Sequence, residues 1–127
     1  MKVVGRPHSR VEGALKVTGR APYAYEHRDG VENAAYGYVV GSAIAKGRIR
    51  AIDTQAARSS PGVLGVVTAE NAGELEKGQY NTARLLGGPD IQHYHQAIAV
   101  VVAETFEQAR AAAARLKVSY VRARGRF

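Results

Sequence analysis

Hydrophobic and polar positions along this chain fall into short runs of two periods, and the clearest runs lie near its end. Residues 97–103, Ala-Ile-Ala-Val-Val-Val-Ala, are apolar and partly β-branched without a polar break, the pattern of a strand covered on both faces. Thr105 then stands where an N-cap belongs, with Gln108 three residues on as its capping-box partner. Ala109 and residues 111–114 continue as strong helix formers. Residues 116–121, Leu-Lys-Val-Ser-Tyr-Val, return to alternation and predict a strand with one wet face. This strand, helix and strand offer almost no reactive groups, so they read as scaffold.

Earlier segments are shorter and more often interrupted. Residues 1–20 hold Gly5, Pro7, Gly13 and Gly19 among charged residues and predict an extended, turn-rich basic arm. Residues 21–26 predict a strand, followed by a polar turn whose Asp29-Gly30 pair is a hairpin signal, and residues 34–41 predict the next strand. Both are rich in tyrosine. Residues 48–53 alternate as a half-buried strand; Asp53 or Thr54 caps a short helix over 55–58, which Pro61-Gly62 ends. Residues 63–67 predict a short buried strand, and Thr68 caps a helical turn at 69–72. Residues 73–92, broken by Gly73, Gly78, Gly87, Gly88 and Pro89, predict a long exposed loop. Short strands alternating with short helices give an α+β fold, a mixed sheet with short helices packed on it. Residues 21–122 are expected to form its single domain, with 1–20 as the arm and 123–127 as a basic tail.

Length and composition narrow the class. At 127 residues one domain is expected, and no apolar run approaches the roughly 20 residues of a membrane span. The N-terminus lacks the apolar stretch of a secretory signal. A cytoplasmic location is expected, or a periplasmic one if a signal-bearing partner carries the chain out. The absence of cysteine excludes disulfides, thiolate metal sites and iron–sulfur ligation within the chain. The net charge of +7 resembles a nucleic-acid binder until it is located. Lys2, Arg6, Arg10, Lys16 and Arg20 face only Glu12 in the arm, and residues 110–127 carry six basic groups and no acid, around a mildly acidic middle. Charge placed at two ends is a poor polyanion groove, so a solvated or partner-facing tail at Arg122, Arg124 and Arg126 is preferred.

Candidate chemistry is sparse. His93 and His95 would share one face of a strand and could share a metal, with Asp90 nearby; a polar strand edge is the commoner meaning of His-x-His. His8 and His27 lie in turns without an evident partner. The loop from Gly41 to Gly47 has the glycines of an anion cradle but not P-loop spacing, because Lys46 precedes the second glycine. Gly87-Gly88-Pro89 reads as a tight turn. Ser9, Ser42, Ser59, Ser60 and Ser119 lie in no nucleophile elbow, which disfavours a hydrolase. Asp53, Glu70, Glu74, Glu76, Glu104 and Glu107 suit helix starts or exposed faces before catalysis is invoked. Tyr23, Tyr25, Tyr36 and Tyr38, near Arg28, could stack bases, but alternating strand tyrosines more often cover a core.

Four segments in fixed order carry a resemblance: GRPHSRVEGALKVTGRAPY at 5–23, GSAIAKGRIRAID at 41–53, ARSSPGVLGVVTAE at 57–70 and QAIAVVVAETFEQARAAA from Gln96. Together they resemble the N-terminal α/β hammerhead domain of the molybdenum-binding large subunit of xanthine dehydrogenases and aldehyde oxidoreductases. NTARLLGGP at 81–89 and HYHQ at 93–96 resemble the periplasmic-type aldehyde oxidoreductase branch. His95-Gln96 replaces the commoner Gly-Gln, and Glu26 replaces an Asp. The resemblance implies an enzyme that hydroxylates aldehydes or N-heterocycles with oxygen from water. Electrons would pass from a molybdopterin dinucleotide centre through iron–sulfur clusters to FAD on partner subunits or domains. It also implies that pterin contacts and the catalytic base lie in later domains. No catalytic, cofactor-binding or metal residue is therefore assigned here, and these residues are expected to be an inactive piece that works in packing and subunit contacts and tends to self-associate. The alternatives are a stand-alone basic module for a protein or nucleic-acid partner, and a small metal enzyme using His93 and His95.

Overall fold

The computed structural model describes residues 4–24, 31–73, 75 and 86–123. It divides into two units, residues 1–32 and 33–127. In the first, helix α1 (Gly13–Val17) occupies part of the arm read as extended. Local interactions explain this short helix: Lys16 pairs with Glu12 at 3.2 Å one turn away, and the Thr18 hydroxyl donates to the Ala14 carbonyl at 2.7 Å. None of its residues is buried, so the helix has no packed face within its unit. Residues 21–24 form no strand, and the proposed hairpin turn lies outside the described residues.

The second unit runs β1 (Tyr36–Gly41), β2 (Gly47–Asp53), α2 (Gln55–Arg58), β3 (Val63–Thr68), β4 (Asp90–Ile91), β5 (Ala97–Ala103), α3 (Phe106–Ala113) and β6 (Lys117–Arg122). The strands form two three-stranded sheets, ordered β1-β5-β3 and β4-β2-β6. Every pairing is antiparallel, where sequence predicted one mixed sheet. The reason lies in β5. Both of its edges are taken by the uncharged strands β1 and β3, so β6 cannot return beside it and pairs with β2 instead. Alternation suits that position: Val118 and Tyr120 turn inward while Lys117, Ser119 and Val121 stay exposed.

Two small cores hold the unit together. Val101, fully buried on β5, packs with Val66 of β3, Ala57 of α2 and Ala112 and Ala113 of α3. Alanine at 109, 112 and 113 repeats at helical spacing and forms the buried face of α3, which lies against β1 and β5. On the other side Ile98 packs with Ile44 and Ile91, joined by Ile49, Val118 and Tyr120 of the second sheet. β5 is thus covered on both faces, as its unbroken apolar run requires.

Local signals act as read. Thr105 accepts from the Gln108 N–H at 3.2 Å, and the Gln108 carboxamide accepts from the Thr105 N–H at 3.0 Å. Asp53, not Thr54, supplies the side-chain cap of α2, accepting from Gln55 N–H at 3.0 Å. Gly62 follows at φ +74°, and its Cα lies so close to the Gln108 carboxamide that a Cβ would collide with it.

Candidate functional site

The His-x-His element is not on a strand. His93, Tyr94 and His95 lie in the bend and turn between β4 and β5, so the premise that both rings leave one strand face fails. His93 contacts the Tyr94 carbonyl at 2.9 Å through Nδ1, whereas the His95 ring lies over Gly41 and meets Tyr94 edge-on with centroids 5.5 Å apart. His95 adopts φ +63°, a left-handed conformation uncommon outside glycine, while its N–H donates to the Ser42 carbonyl at 3.0 Å. Asp90 pairs instead with Arg48 at 2.9 Å. Among the described residues no group of three metal-ligating side chains converges.

Gln96 organises this turn, a role sequence reasoning missed. Its buried carboxamide accepts from Gln92 N–H at 2.8 Å and donates to the Asp90 carbonyl at 3.0 Å. That clamp, with Ile91 buried beneath it, explains why residues 90–91 pair with β2 inside a stretch read as loop. A glutamine directly before an apolar strand is the only local hint of it.

The Gly41–Gly47 loop spends its donors internally. Ser42 N–H donates to the Gln96 carbonyl at 2.8 Å, Ala43 N–H to the Tyr120 hydroxyl at 3.2 Å, and Ile44 N–H to the Ser42 hydroxyl at 3.1 Å. A phosphate cradle needs free convergent amides, and these are engaged. The Ser42 hydroxyl is itself buried and donates back to the Ile44 carbonyl at 2.9 Å. Ser59 and Ser60 bond to the Ala56 carbonyl, and Ser60 also accepts from Arg115 at 3.0 Å. Among the described residues none of the serine hydroxyls meets a histidine or carboxylate, so no nucleophile–base pair forms. Tyr36 and Tyr38 share the half-buried face of β1, and Tyr38 packs on Phe106 with centroids 5.8 Å apart. Tyr25, His27, Arg28, Glu74, Glu76, Arg124 and Arg126 lie outside the described residues; Tyr23 and His8 belong to the first unit.

A cleft of about 350 Å³ opens between the two sheets, lined among others by Ile49, Arg50, Arg58, Glu70, Pro89 and Ile98. Among the described residues its charged groups form no ion pair, and it holds no histidine to activate the Thr54 or Thr68 hydroxyl.

A fold of two small antiparallel sheets with short helices, built around a long buried strand, fits the resemblance seen in the sequence. The sequence pattern of the family described as "Aldehyde oxidase and xanthine dehydrogenase, a/b hammerhead domain" matches residues 18–124. The chain belongs to this family. Its hammerhead sequence is 66% identical over 127 residues to the aldehyde oxidoreductase molybdenum-binding subunit PaoC of Escherichia coli strain K12, covering 100% of this chain and 17% of that subunit. It is 31% identical over 118 residues to aldehyde oxidase 1 of Oryctolagus cuniculus, covering 92% of this chain and 8% of that protein. Among solved structures, quinoline 2-oxidoreductase from Pseudomonas putida 86 superposes with a TM-score of 0.84 at 26% identity, over 97% of this chain and 17% of that one. The chain therefore spans less than a fifth of the relatives it matches. Whole-length similarity to part of a larger subunit does not support the alternative of a stand-alone basic module.

One loop among the described residues, Gly41–Gly47, can be compared with a cradle for the pyrophosphate of molybdopterin. Such a cradle needs free convergent amides, and in this loop the Ser42, Ala43 and Ile44 amides are engaged. No buried side-chain nitrogen or oxygen among the described residues is left without a partner to receive it.

Proposed function

We propose that this chain serves as a noncatalytic hammerhead domain in the molybdenum-binding subunit of an enzyme that hydroxylates aldehydes or N-heterocycles. In this role it packs against the rest of that subunit and contributes to contacts with other subunits. The 66% identity to PaoC along the whole chain is the observation that carries this reading. Substrate oxidation then belongs to residues outside these 127, with molybdopterin held there and iron–sulfur clusters and FAD on partner subunits or domains.

The test separates scaffold from catalyst. The 127-residue chain, mixed with an aromatic aldehyde and a dye electron acceptor, is expected to give no turnover above buffer. The longer subunit containing it is expected to copurify with iron–sulfur and flavin subunits. Aldehyde-dependent dye reduction by the chain alone contradicts the noncatalytic role, and failure of the longer subunit to copurify with any partner contradicts the interface role.

A further inference from the structure

We propose that the free edge of β1 docks an extended acidic segment of a partner polypeptide, with Arg110 and the His95 turn receiving its carboxylate. The assignment rests on the interface role proposed above and names the chemistry of one face.

β1 is the terminal strand of its sheet, so one edge pairs with β5 and no described strand pairs with the other. Among the described residues no partner takes the N–H and C=O groups that alternate along that edge of Tyr36–Gly41, the pattern an added strand would pair with. Natural edge strands are commonly blunted with lysine, proline or inward charge. β1 has none of these, and Val39 is 55% exposed on it.

Beside this edge lies a groove of about 230 Å³, lined by Tyr38, Val39, Gly41, His95, Arg110 and Ala114 among others. Among the described residues no acidic one lines it, and Arg110 has no ion-pair partner. Glu107 lies one turn earlier on α3 and is not part of the lining. The groove is thus cationic with apolar walls, which complements an acidic strand with apolar neighbours.

The His95 turn is built to hold its place. Its backbone takes a left-handed φ, its N–H is bonded to Ser42, and its ring occupies the space that only a glycine at 41 leaves open. Exposed Tyr94 and Phe106 add aromatic surface of the kind enriched at protein interfaces. A second copy of this chain is the poorer occupant, because its β1 carries no carboxylate to meet Arg110.

The test is a fluorescence-anisotropy titration of the 127-residue chain with a labelled peptide of alternating valine and glutamate. Arg110→Glu is expected to weaken binding about tenfold, whereas Lys117→Glu, the same charge change on β6, shifts it less than about twofold. A peptide with lysine in place of glutamate should bind Arg110→Glu better than the unchanged chain, and one with proline at alternate positions should not bind. The proline peptide, and the comparison of glutamate with lysine peptides on the unchanged chain, need no folded variant. Equal binding of the glutamate and lysine peptides to the unchanged chain overturns the proposal, as does an unchanged affinity in Arg110→Glu. Self-association abolished by Val39→Lys, without peptide binding, assigns the edge to a second copy and also overturns it. If those results appear while the longer subunit still copurifies with its partners, only the assignment of this face has failed.

Discussion

Replacing Gly62 with alanine tests whether a loop glycine and a helix cap act as one unit. Gly62 has φ +74°, and a Cβ there would run into the Gln108 carboxamide. An alanine held in the left-handed region costs about 1–2 kcal/mol. The carboxamide ends a flexible side chain and can swing away, but doing so breaks its bond to Thr105 N–H and with it half of the capping box. Loss of that hydrogen bond adds about 1 kcal/mol, so Gly62→Ala should destabilise by about 2–3 kcal/mol. In a Gln108→Ala background the collision and that hydrogen bond are both already gone, and Gly62→Ala should then cost only the backbone strain. The two substitutions should therefore be non-additive by about 1 kcal/mol in urea unfolding followed by circular dichroism. Additivity within about 0.3 kcal/mol would refute the coupling.

Other substitutions separate core, clamp and surface. Val101→Ala removes two methyl groups at the fully buried centre of the helix-side core and should cost about 2–3 kcal/mol by the same unfolding assay. Gln96→Ala removes the clamp on residues 90–92 and should cost about 2 kcal/mol, with hydrogen exchange rising first at Ile91 and Gln92. Arg48→Ala breaks an ion pair whose side chains are 66% and 70% exposed, so it should change stability by less than about 0.5 kcal/mol. A larger loss at Arg48 would show that this pair, not Gln96, fixes β4.

What was legible in the sequence was what nearby residues determine. The capping box at Thr105 and Gln108 and the apolar run of β5 are each written within a few positions and form as read, and of the two caps read for α2, Asp53 or Thr54, it is Asp53 that accepts the hydrogen bond. Strand partners were not legible. The choice of β2 over β5 for β6 depends on which edges other strands have already taken, and no local pattern records that. The two-residue strand β4 depends on a buried glutamine carboxamide acting across the turn, so glycine and proline punctuation concealed it. His93 and His95 misled for a similar reason. Period-two spacing places rings on one face only within a strand, and residues 92–96 form none, with His95 in a left-handed conformation among them. In the arm, four helix-breaking residues outweighed the local Glu12–Lys16 pair in the reading, yet α1 forms between Gly13 and Val17.

The central claim is that this chain is a structural domain of a molybdenum-binding subunit. It is tested most directly by exchanging the matching 127 residues of the Escherichia coli subunit PaoC for this chain and assaying aldehyde oxidation by the assembled enzyme. If the chain supplies packing and subunit contacts, the hybrid should assemble with its molybdenum content intact and retain kcat/KM within about tenfold. A hybrid that assembles with full molybdenum content but has lost turnover would contradict the claim, because it would place catalytic groups within these residues.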